Sequence, residues 1–443
     1  MNIPKTLFPR QHQAHDFFLK RLQSGGNTLD SSDMGTGKAV VACHLARSLG
    51  KPVTVIAPKA VLPSWEREME EVGIKPTFVF NLEKLKTGRT DYLNKIVTPR
   101  GGKKVVAFQW DTQQLPLDTL ILVDEIHKCK GMYTANSKML TALVNQGYRV
   151  HGMSGTSCED PSEMNALGLM LGLHSGRYAK SGLNHFWGFM KALGVTQDKW
   201  GSYKLTDRSK LAVLKQLMYG ISTYRLSVAD FPDSFRNNRV FVTPIHFRSN
   251  AKIMAAYTSL GITPKIIDDF ILNGTVTDSE HVLVRLLKAR QLAESYKAVD
   301  LADMAENAML AGNSVVLFVN FKDTVEALKL KLQCNSIDGS QTAVQRQAVI
   351  DEFQRDDAHC VVCNISAGGT GISLHDVKGN RPRVAYICPT FNAKEHMQVL
   401  GRIHRNGAKS DALQEVLVAA NSIEERVMVS INRRLDNLRD LHY

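Results

Sequence analysis

The sequence predicts an α/β protein of two lobes, each a parallel β-sheet covered by helices on both faces. Three observations predict it. Apolar runs of strand length alternate with amphipathic helical stretches. The alternation comes in two sets, parted by a polar segment interrupted by proline, "SVADFPDSFRNN" (227–238). A chain of 443 residues is long enough to bury two or three separate cores. Continuous apolar strands, rather than strands alternating with polar residues, are what a sheet covered on both faces requires.

In chain order, "NTLDSSDMG" is a weak strand and "GKAVVACHLARSLG" a helix that stops at Gly50. Strands follow at "PVTVIAP" (52–58), "KVVAFQW" (104–110), "TLILVDE" (119–125) and "RVHGMSG" (149–155). From about 157 to 225 the pattern turns helical and aromatic, as in "LNHFWGFMKAL", and reads as an insert on the first lobe. The expected division is therefore a first lobe over 1–226, a linker over 227–245 and a second lobe over 246–443. The second set of strands comprises "NSVVLFVNF" (313–321), "HCVVCNI" (359–365), "RVAYICP" (383–389) and "LQEVLVAA" (413–420), with helices such as "QTAVQRQAVIDEFQ" between them.

Composition excludes several classes. Hydrophobic residues at 44% and charged residues at 22% exclude a disordered chain. The N-terminus "MNIPKTLFPRQHQ" has no apolar core for a signal peptide. No run approaches the ~18 apolar residues of a membrane span. The seven cysteines sit mostly in apolar stretches, a reduced, intracellular pattern that suggests a cytoplasmic protein. Cys360 and Cys363 form a CxxC without a second pair, which favours a buried strand over a zinc site. Lys and Arg total 55 against 43 acidic residues, and the net charge of +12 suits a polyanionic partner. General solubility is the alternative.

Three constellations carry chemistry. "DMGTGKA" (33–39) lies between a strand and a helix, where free backbone N–H groups and the helix dipole make a phosphate cradle. Gly35 and Gly37 permit the tight turn, and Lys38 can reach the β- and γ-phosphates. Ser32 stands where the strict pattern has its first glycine, and Ala39 lacks the hydroxyl that would hold Mg²⁺. "LILVDEIH" (120–127) places Asp124 and Glu125 at the carboxyl end of a strand, Asp124 to hold Mg²⁺ through water and Glu125 to orient or deprotonate an attacking water. A solvated acidic pair is the alternative. "QVLGRIHRNG" (398–407) carries Arg402 and Arg405 three apart, expected on one helical face and suited to a transferring phosphoryl group. A basic surface helix is the alternative there.

In order and spacing these elements resemble superfamily 2 helicases, and within them the Swi/Snf-like branch of DNA translocases, over nearly the whole chain. "LFPRQHQAHDFF" (7–18) is similar to the adenine-reading segment, with Gln11 as its glutamine. "DMGTGK", "IAPKAVLPSWERE" (56–68), "DEIH" and "MSGTS" (153–157) resemble motifs I, Ia, II and III. "VVLFVNF", "SAGGTGISL" (366–374) and "FNAKEHMQVLGRIHRNG" (391–407) resemble motifs IV, V and VI. "SIDGS" followed by Arg346 and Phe353, and "NSIEERV" (421–427), fit the same branch.

The resemblance implies two RecA-like lobes with helical insertions and an ATP site in the cleft between them. It implies nucleotide contacts from Gln11, Met34, Gly35, Thr36, Gly37, Lys38, Ala39, Gly371, Arg402 and Arg405, and Mg²⁺ at Asp124 and Glu125. DNA would run across both lobes against Pro58, Lys59, Gly155, Thr156, Ser366 and Gly368. The sequence departs from the family at Ala39 (usually Thr), Ser366 (Arg), Ser373 (Asn) and Ala408 (Gln). A water can replace the missing hydroxyl on Mg²⁺, and Lys38, Asp124, Glu125, Arg402 and Arg405 are all present, so the site reads as active.

The implied function is a monomeric, ATP-driven DNA helicase or translocase that remodels forked or branched DNA in replication, recombination or repair, as small phage or bacterial motors do. A duplex translocase that displaces proteins without strand separation, and a weakly hydrolysing nucleotide-dependent clamp, are the alternatives. Substrate choice would lie in the basic stretch 84–104, in residues 246–311, or in the aromatic insert around Trp187 and Trp200, for which loop and core roles are the bland readings.

Overall fold

The computed structural model describes residues 6–100, 103–176, 185–197, 203–273, 279–368 and 372–442. The chain divides into two compact units, residues 1–230 with 437–443, and residues 231–436.

In the first unit the strands are β1 (Thr28–Asp30), β2 (Val53–Ala57), β3 (Phe78–Asn81), β4 (Leu93–Arg100), β5 (Lys103–Trp110), β6 (Leu120–Asp124), β7 (Arg149–Met153), β8 (Val195–Gln197), β9 (Tyr203–Leu205) and β10 (Thr223–Tyr224). Six of them form one parallel sheet in the order β10-β1-β7-β6-β2-β3. β2 is buried along its whole length and β6 up to Val123, which explains their unbroken apolar sequence. The helices Pro9–Gln23, Lys38–Leu49, Leu62–Val72 and Ala135–Asn145 belong to the same unit.

Two expectations change here. Residues 104–110 are not a strand of the parallel sheet: they form β5, which pairs antiparallel with β4 as a separate hairpin. The physical reason is legible in hindsight, because Phe108 and Trp110 are buried while Lys104, Val105, Ala107 and Gln109 are exposed, a half-covered ribbon rather than a covered strand. The insert 157–225 is only partly helical, since it includes the β8–β9 hairpin and ends in β10, an edge strand of the main sheet. Within it Trp187 packs on the first unit's core, with its ring centroid 5.3 Å from that of Tyr203, which favours the core reading. Trp200 lies outside the described residues.

The second unit holds β11 (Asn238–Ile245), β12 (Ser314–Val319), β13 (Asn335–Ile337), β14 (Cys360–Asn364), β15 (Arg383–Ile387) and β16 (Ala412–Ala419). They form a parallel sheet in the order β11-β16-β15-β12-β14-β13. β11 pairs with β16 along its whole length, from Asn238↔Ala412 to Ile245↔Ala419, so the second half of the expected linker is sheet. Its exposure and Pro244 disguise it; proline is tolerated because the strand is at an edge. Cys360 and Cys363 are free and buried in β14. Among the described residues, no helix is long and apolar enough to cross a membrane.

The long helix Ser279–Leu310 is fixed to this sheet by a buried ion pair, Lys297 with Glu424, both almost fully shielded from solvent. Lys297 Nζ also donates to the Leu417 carbonyl at 3.2 Å, and the Glu424 carboxylate accepts the Ala419 N–H at 2.8 Å. Removing one partner strands a charge in the interior. Lys297→Ala is expected to destabilise this unit by about 3–5 kcal/mol, with Lys297→Met/Glu424→Leu recovering most of the loss. Urea unfolding followed by circular dichroism checks both; equal losses in the two variants would contradict the pairing.

Candidate active site

β1 ends at Asp30, and residues 31–37 turn into the helix Lys38–Leu49. Gly35 (φ 81°) and Gly37 (φ 90°) take left-handed backbone conformations that other residues rarely adopt. A Cβ on Gly37 would collide with the amide of Gln11. Gln11 Nε2 donates to the Thr36 carbonyl at 2.8 Å, while its Oε1 accepts the Phe8 N–H at 2.9 Å, so one buried side chain ties the first helix to the loop. Lys38 Nζ sits within the loop, donating to the carbonyls of Ser32 at 2.8 Å and Asp33 at 2.9 Å. Burial pushes its pKa down, opposed by the charges of Asp30, Glu125, Asp124 and Asp33.

The loop is braced by residues that carry no motif signal. Arg225, just after β10, pairs with Asp33 and donates to the Ser31 carbonyl at 2.6 Å. Asp33 also accepts the Val228 N–H at 3.0 Å, and Ser32 Oγ accepts the Leu226 N–H at 2.9 Å. Ser32 thus uses the hydroxyl that a glycine would lack, which accounts for its place in the loop. The β10–β1 pairing brings residues 192 to 195 positions apart in sequence to this contact, and a linear pattern does not show it.

Asp124 closes β6. Its Oδ2 accepts from Trp65 Nε1 at 2.9 Å and its Oδ1 from the Glu125 N–H at 2.8 Å. Burial, with Glu125 adding repulsion, pushes its carboxyl up to about 6. Glu125 takes a left-handed conformation (φ 50°), and His127 Nδ1 lies 3.1 Å from its carboxylate. The same ring nitrogen is 3.0 Å from Ser154 Oγ, which accepts the Thr156 N–H at 3.2 Å. Register sets this up, since β6 and β7 pair Asp124 with Met153, bringing the two strand ends level. Gly155 lies against the cradle: a Cβ there would stand 3.3 Å from the Ser32 carbonyl. Pro58 follows β2, and Lys59 is exposed at the start of a short 3₁₀ turn, Lys59–Val61. Asp124, Glu125, Ser154 and Pro58 lie at the carboxyl ends of the parallel strands β6, β7 and β2, where open α/β sheets bind ligands.

The residues fit a phosphate-bound Mg²⁺, which takes oxygen ligands from one or two carboxylates and keeps several waters. Asp124 and Glu125 supply such oxygens. Among the described residues, no cluster of three or more His, Cys, Asp or Glu side chains forms a metal cage.

In the second unit the arginines are arranged differently from the expectation. The helix Ala393–Leu400 ends at Gly401, so Arg402 and Arg405 are not on a helical face. They converge instead on one carbonyl: Arg402 Nη1 donates to Ile372 O at 3.2 Å and Arg405 Nη2 to the same atom at 2.9 Å. The Leu374 N–H in turn donates to the Arg402 carbonyl at 2.9 Å, binding this turn to the segment 372–374. Ser366 Oγ donates to Asn364 Oδ1 at 2.6 Å, in the short helix Ile365–Gly368 that Gly368 ends. Gly371 lies outside the described residues.

Comparison with known proteins agrees with this pattern. Residues 297–407 match the family model "Helicase conserved C-terminal domain". The candidate ATP-dependent RNA helicase L364 of Acanthamoeba polyphaga mimivirus is 30% identical over 440 residues, covering 93% of this chain and 78% of its own. The SWI/SNF-related matrix-associated actin-dependent regulator of chromatin subfamily A-like protein 1 homolog of Caenorhabditis elegans is 25% identical over 99% of this chain and 62% of its own. The Drosophila ananassae DNA repair and recombination protein RAD54-like is 28% identical over 34% of this chain and 20% of its own. The chain thus spans less than two thirds of the latter two. Among solved structures, the Sulfolobus solfataricus SWI2/SNF2 ATPase core in complex with dsDNA is similar at 18% identity and a TM-score of 0.38, covering 94% of this chain and 89% of that one. With two parallel α/β lobes and the motif set in order along them, the chain belongs to the Swi/Snf-like branch of the superfamily 2 helicases, a family of ATP-dependent enzymes.

Proposed function

We propose that this chain is an ATP-driven DNA motor that remodels forked or branched DNA. The observation that supports it best is the continuous set of contacts Asp124–Glu125–His127–Ser154–Thr156. It leads from the carboxylates beside Lys38 to a segment proposed to touch the DNA backbone, so a change at one end has a physical route to the other. In this reading Gln11 reads the adenine and the backbone of residues 34–39, Ala39 included, cradles the phosphates. Lys38 exchanges its carbonyl partners for phosphate oxygens. Asp124 and Glu125 would hold Mg²⁺, which would supply neutralisation of phosphate charge. Glu125 orients the attacking water, and His127 holds Glu125. Arg402, Arg405 and Gly371 are proposed to meet the γ-phosphate. Pro58, Lys59, Gly155, Thr156, Ser366 and Gly368 are proposed to follow the DNA backbone, so stepping is independent of sequence.

The names of the relatives support DNA repair, recombination and chromatin as settings, whereas the mimivirus protein's name points to RNA. An RNA-acting motor is therefore the second reading. ATPase assays with duplex DNA, forked DNA and duplex RNA decide between them: stimulation by RNA alone would overturn the DNA reading, and forks giving strand separation that blunt duplex does not would support remodelling.

The roles make two checkable statements. Arg405→Ala is expected to lower kcat by roughly 10³–10⁵ with little change in ATP affinity, and Lys38→Ala to abolish hydrolysis. Single-turnover hydrolysis and nucleotide titration measure the two separately, and normal turnover in either variant contradicts its role.

The second concerns Asp124. With its carboxyl pushed up to about 6 in the free protein, kcat/KM is expected to fall as pH drops through that value, since the neutral acid is a poor partner for a cation. Trp65 donates to the ionised form, so Trp65→Phe should move the acid limb of kcat/KM up by about one unit. For stability the sign is opposite. The folded state holds this proton more tightly than the unfolded chain, so the free protein loses stability as pH rises from about 4 to about 6. Asp124→Asn should therefore raise the melting temperature at pH 8, by the equivalent of roughly 1–3 kcal/mol, while removing hydrolysis. A lower melting temperature would show that the ionised carboxylate is stabilising.

A further inference from the structure

The hairpin β4–β5 is absorbed by none of the helicase motifs, yet it lies in the most strongly charged stretch of the chain. Residues 84–104 contain seven Lys or Arg and one Asp, a net +6 that is half of the whole chain's +12. At its base Leu93, Phe108 and Trp110 are buried, with Trp110 Nε1 donating to the Met139 carbonyl at 3.1 Å and Gln146 bridging the Trp110 backbone. Beyond that anchor the ribbon emerges from the unit. Ile96 (43%), Val97 (49%) and Val105 (41%) are exposed although they alternate across the two faces of the ribbon. Lys84, Lys86, Arg89, Lys95 and Lys104 are exposed, and among the described residues no carboxylate pairs with them. The turn at 87–92 lies against the hairpin base, where Gly88 abuts Lys95, so these charges share one locality.

We propose that this hairpin is a duplex-DNA contact outside the family's motifs, inserted into the major groove with its basic side chains on the flanking phosphates. The inference rests on the nucleic-acid reading above. Unpaired cations at this density find their complement in a phosphate backbone. A two-stranded ribbon, its strands ~4.8 Å apart, fits the ≈ 12 Å major groove of B-form DNA. The deep, narrow major groove of A-form RNA does not admit it. Exposed Ile96, Val97 and Val105 then meet sugars and thymine methyl groups rather than water. Anchored through Trp110, the ribbon reports strain in the duplex to the helix Ala135–Asn145, which carries Met139.

The test compares wild-type protein with Lys86→Gln/Arg89→Gln/Lys95→Gln/Lys104→Gln, and with the matching Lys86→Arg/Lys95→Arg/Lys104→Arg variant, which keeps the charges. Binding to a fluorescent duplex DNA and a duplex RNA is measured from 50 to 300 mM salt, together with ATPase in the absence of nucleic acid. The glutamine variant should keep its basal ATPase and melting temperature. It should bind duplex DNA at least ten-fold more weakly at 100 mM salt, with a log–log salt slope shallower by about 3, on the scale of ~0.9 per phosphate contact. The arginine variant should match wild type. An unchanged slope and affinity in the glutamine variant overturns the proposal while leaving the motor reading standing. Equal losses on DNA and RNA overturn the groove insertion. A wild-type protein that binds no duplex, and whose ATPase none stimulates, fails the motor reading itself and the hairpin's role with it.

Discussion

The ammonium of Lys38 is sunk in a loop where burial disfavours its charge, and everything around it follows from that cost. A buried cation is tolerated only when negative charge and carbonyl dipoles replace its lost water. Here the carbonyls of Ser32 and Asp33 supply the hydrogen bonds, and Asp30, Glu125, Asp124 and Asp33 supply the field. These groups come from the ends of β1 and β6, with β7 lying between the two strands. The parallel registers β1–β7 and β7–β6 must therefore end level, and a slip of one residue would turn Asp124 to the opposite face. The geometry around Lys38 and the strand order are thus one constraint seen at two scales.

The same crowding acts on the carboxylates of the site. Asp30 is fully buried and its carboxyl is pushed up by burial, with Lys38 the strongest force holding it down. Asp124 is raised for the same reason and eased by Trp65. Carboxylates whose charge burial disfavours, gathered around one ammonium, would change their internal balance if phosphate charge entered. Through His127 and Ser154 that balance is joined to the backbone of Thr156 by hydrogen bonds rather than by loose packing.

Much of this was legible in the sequence, and the limits have physical causes. The buried strands β2, β6, β12, β14 and β15 announce themselves, because a strand covered on both faces has no polar positions to blur it. β11 and β5 were misplaced for the opposite reason: edge and free-standing strands carry polar residues, proline and charge, which read as linker or as the wrong sheet. Lys38, Asp124 and Glu125 could be named because local turn chemistry fixes them. Arg225 could not, and although Trp65 and Ser154 lie in motif-like segments, their partners Asp124 and His127 could not be read. Each acts across a strand pairing or a helix packing that no spacing along the chain encodes. Arg402 and Arg405 lie between. Their residue type was readable, but their convergence on Ile372 depends on the helix ending at Gly401.

Ala39 is best understood together with Trp65. In the proposed reading a hydroxyl after the cradle lysine would share the metal with the carboxylate that ends β6; without it, the protein's hold on the metal passes to Asp124 and Glu125. A lone buried carboxylate is a poor anchor if it protonates, and burial alone would drive Asp124 that way. The indole N–H of Trp65 and the backbone N–H of Glu125 both act against this, each donating to a different carboxylate oxygen and each favouring the charged form. They also fix the rotation of the carboxylate, leaving its remaining lone pairs directed by the protein rather than by the ligand. The helix Leu62–Val72 that carries Trp65 follows directly on Pro58 and Lys59, which are proposed to lie against DNA. A shift of that helix would alter the Trp65–Asp124 hydrogen bond, and with it the balance between the charged and neutral forms of Asp124.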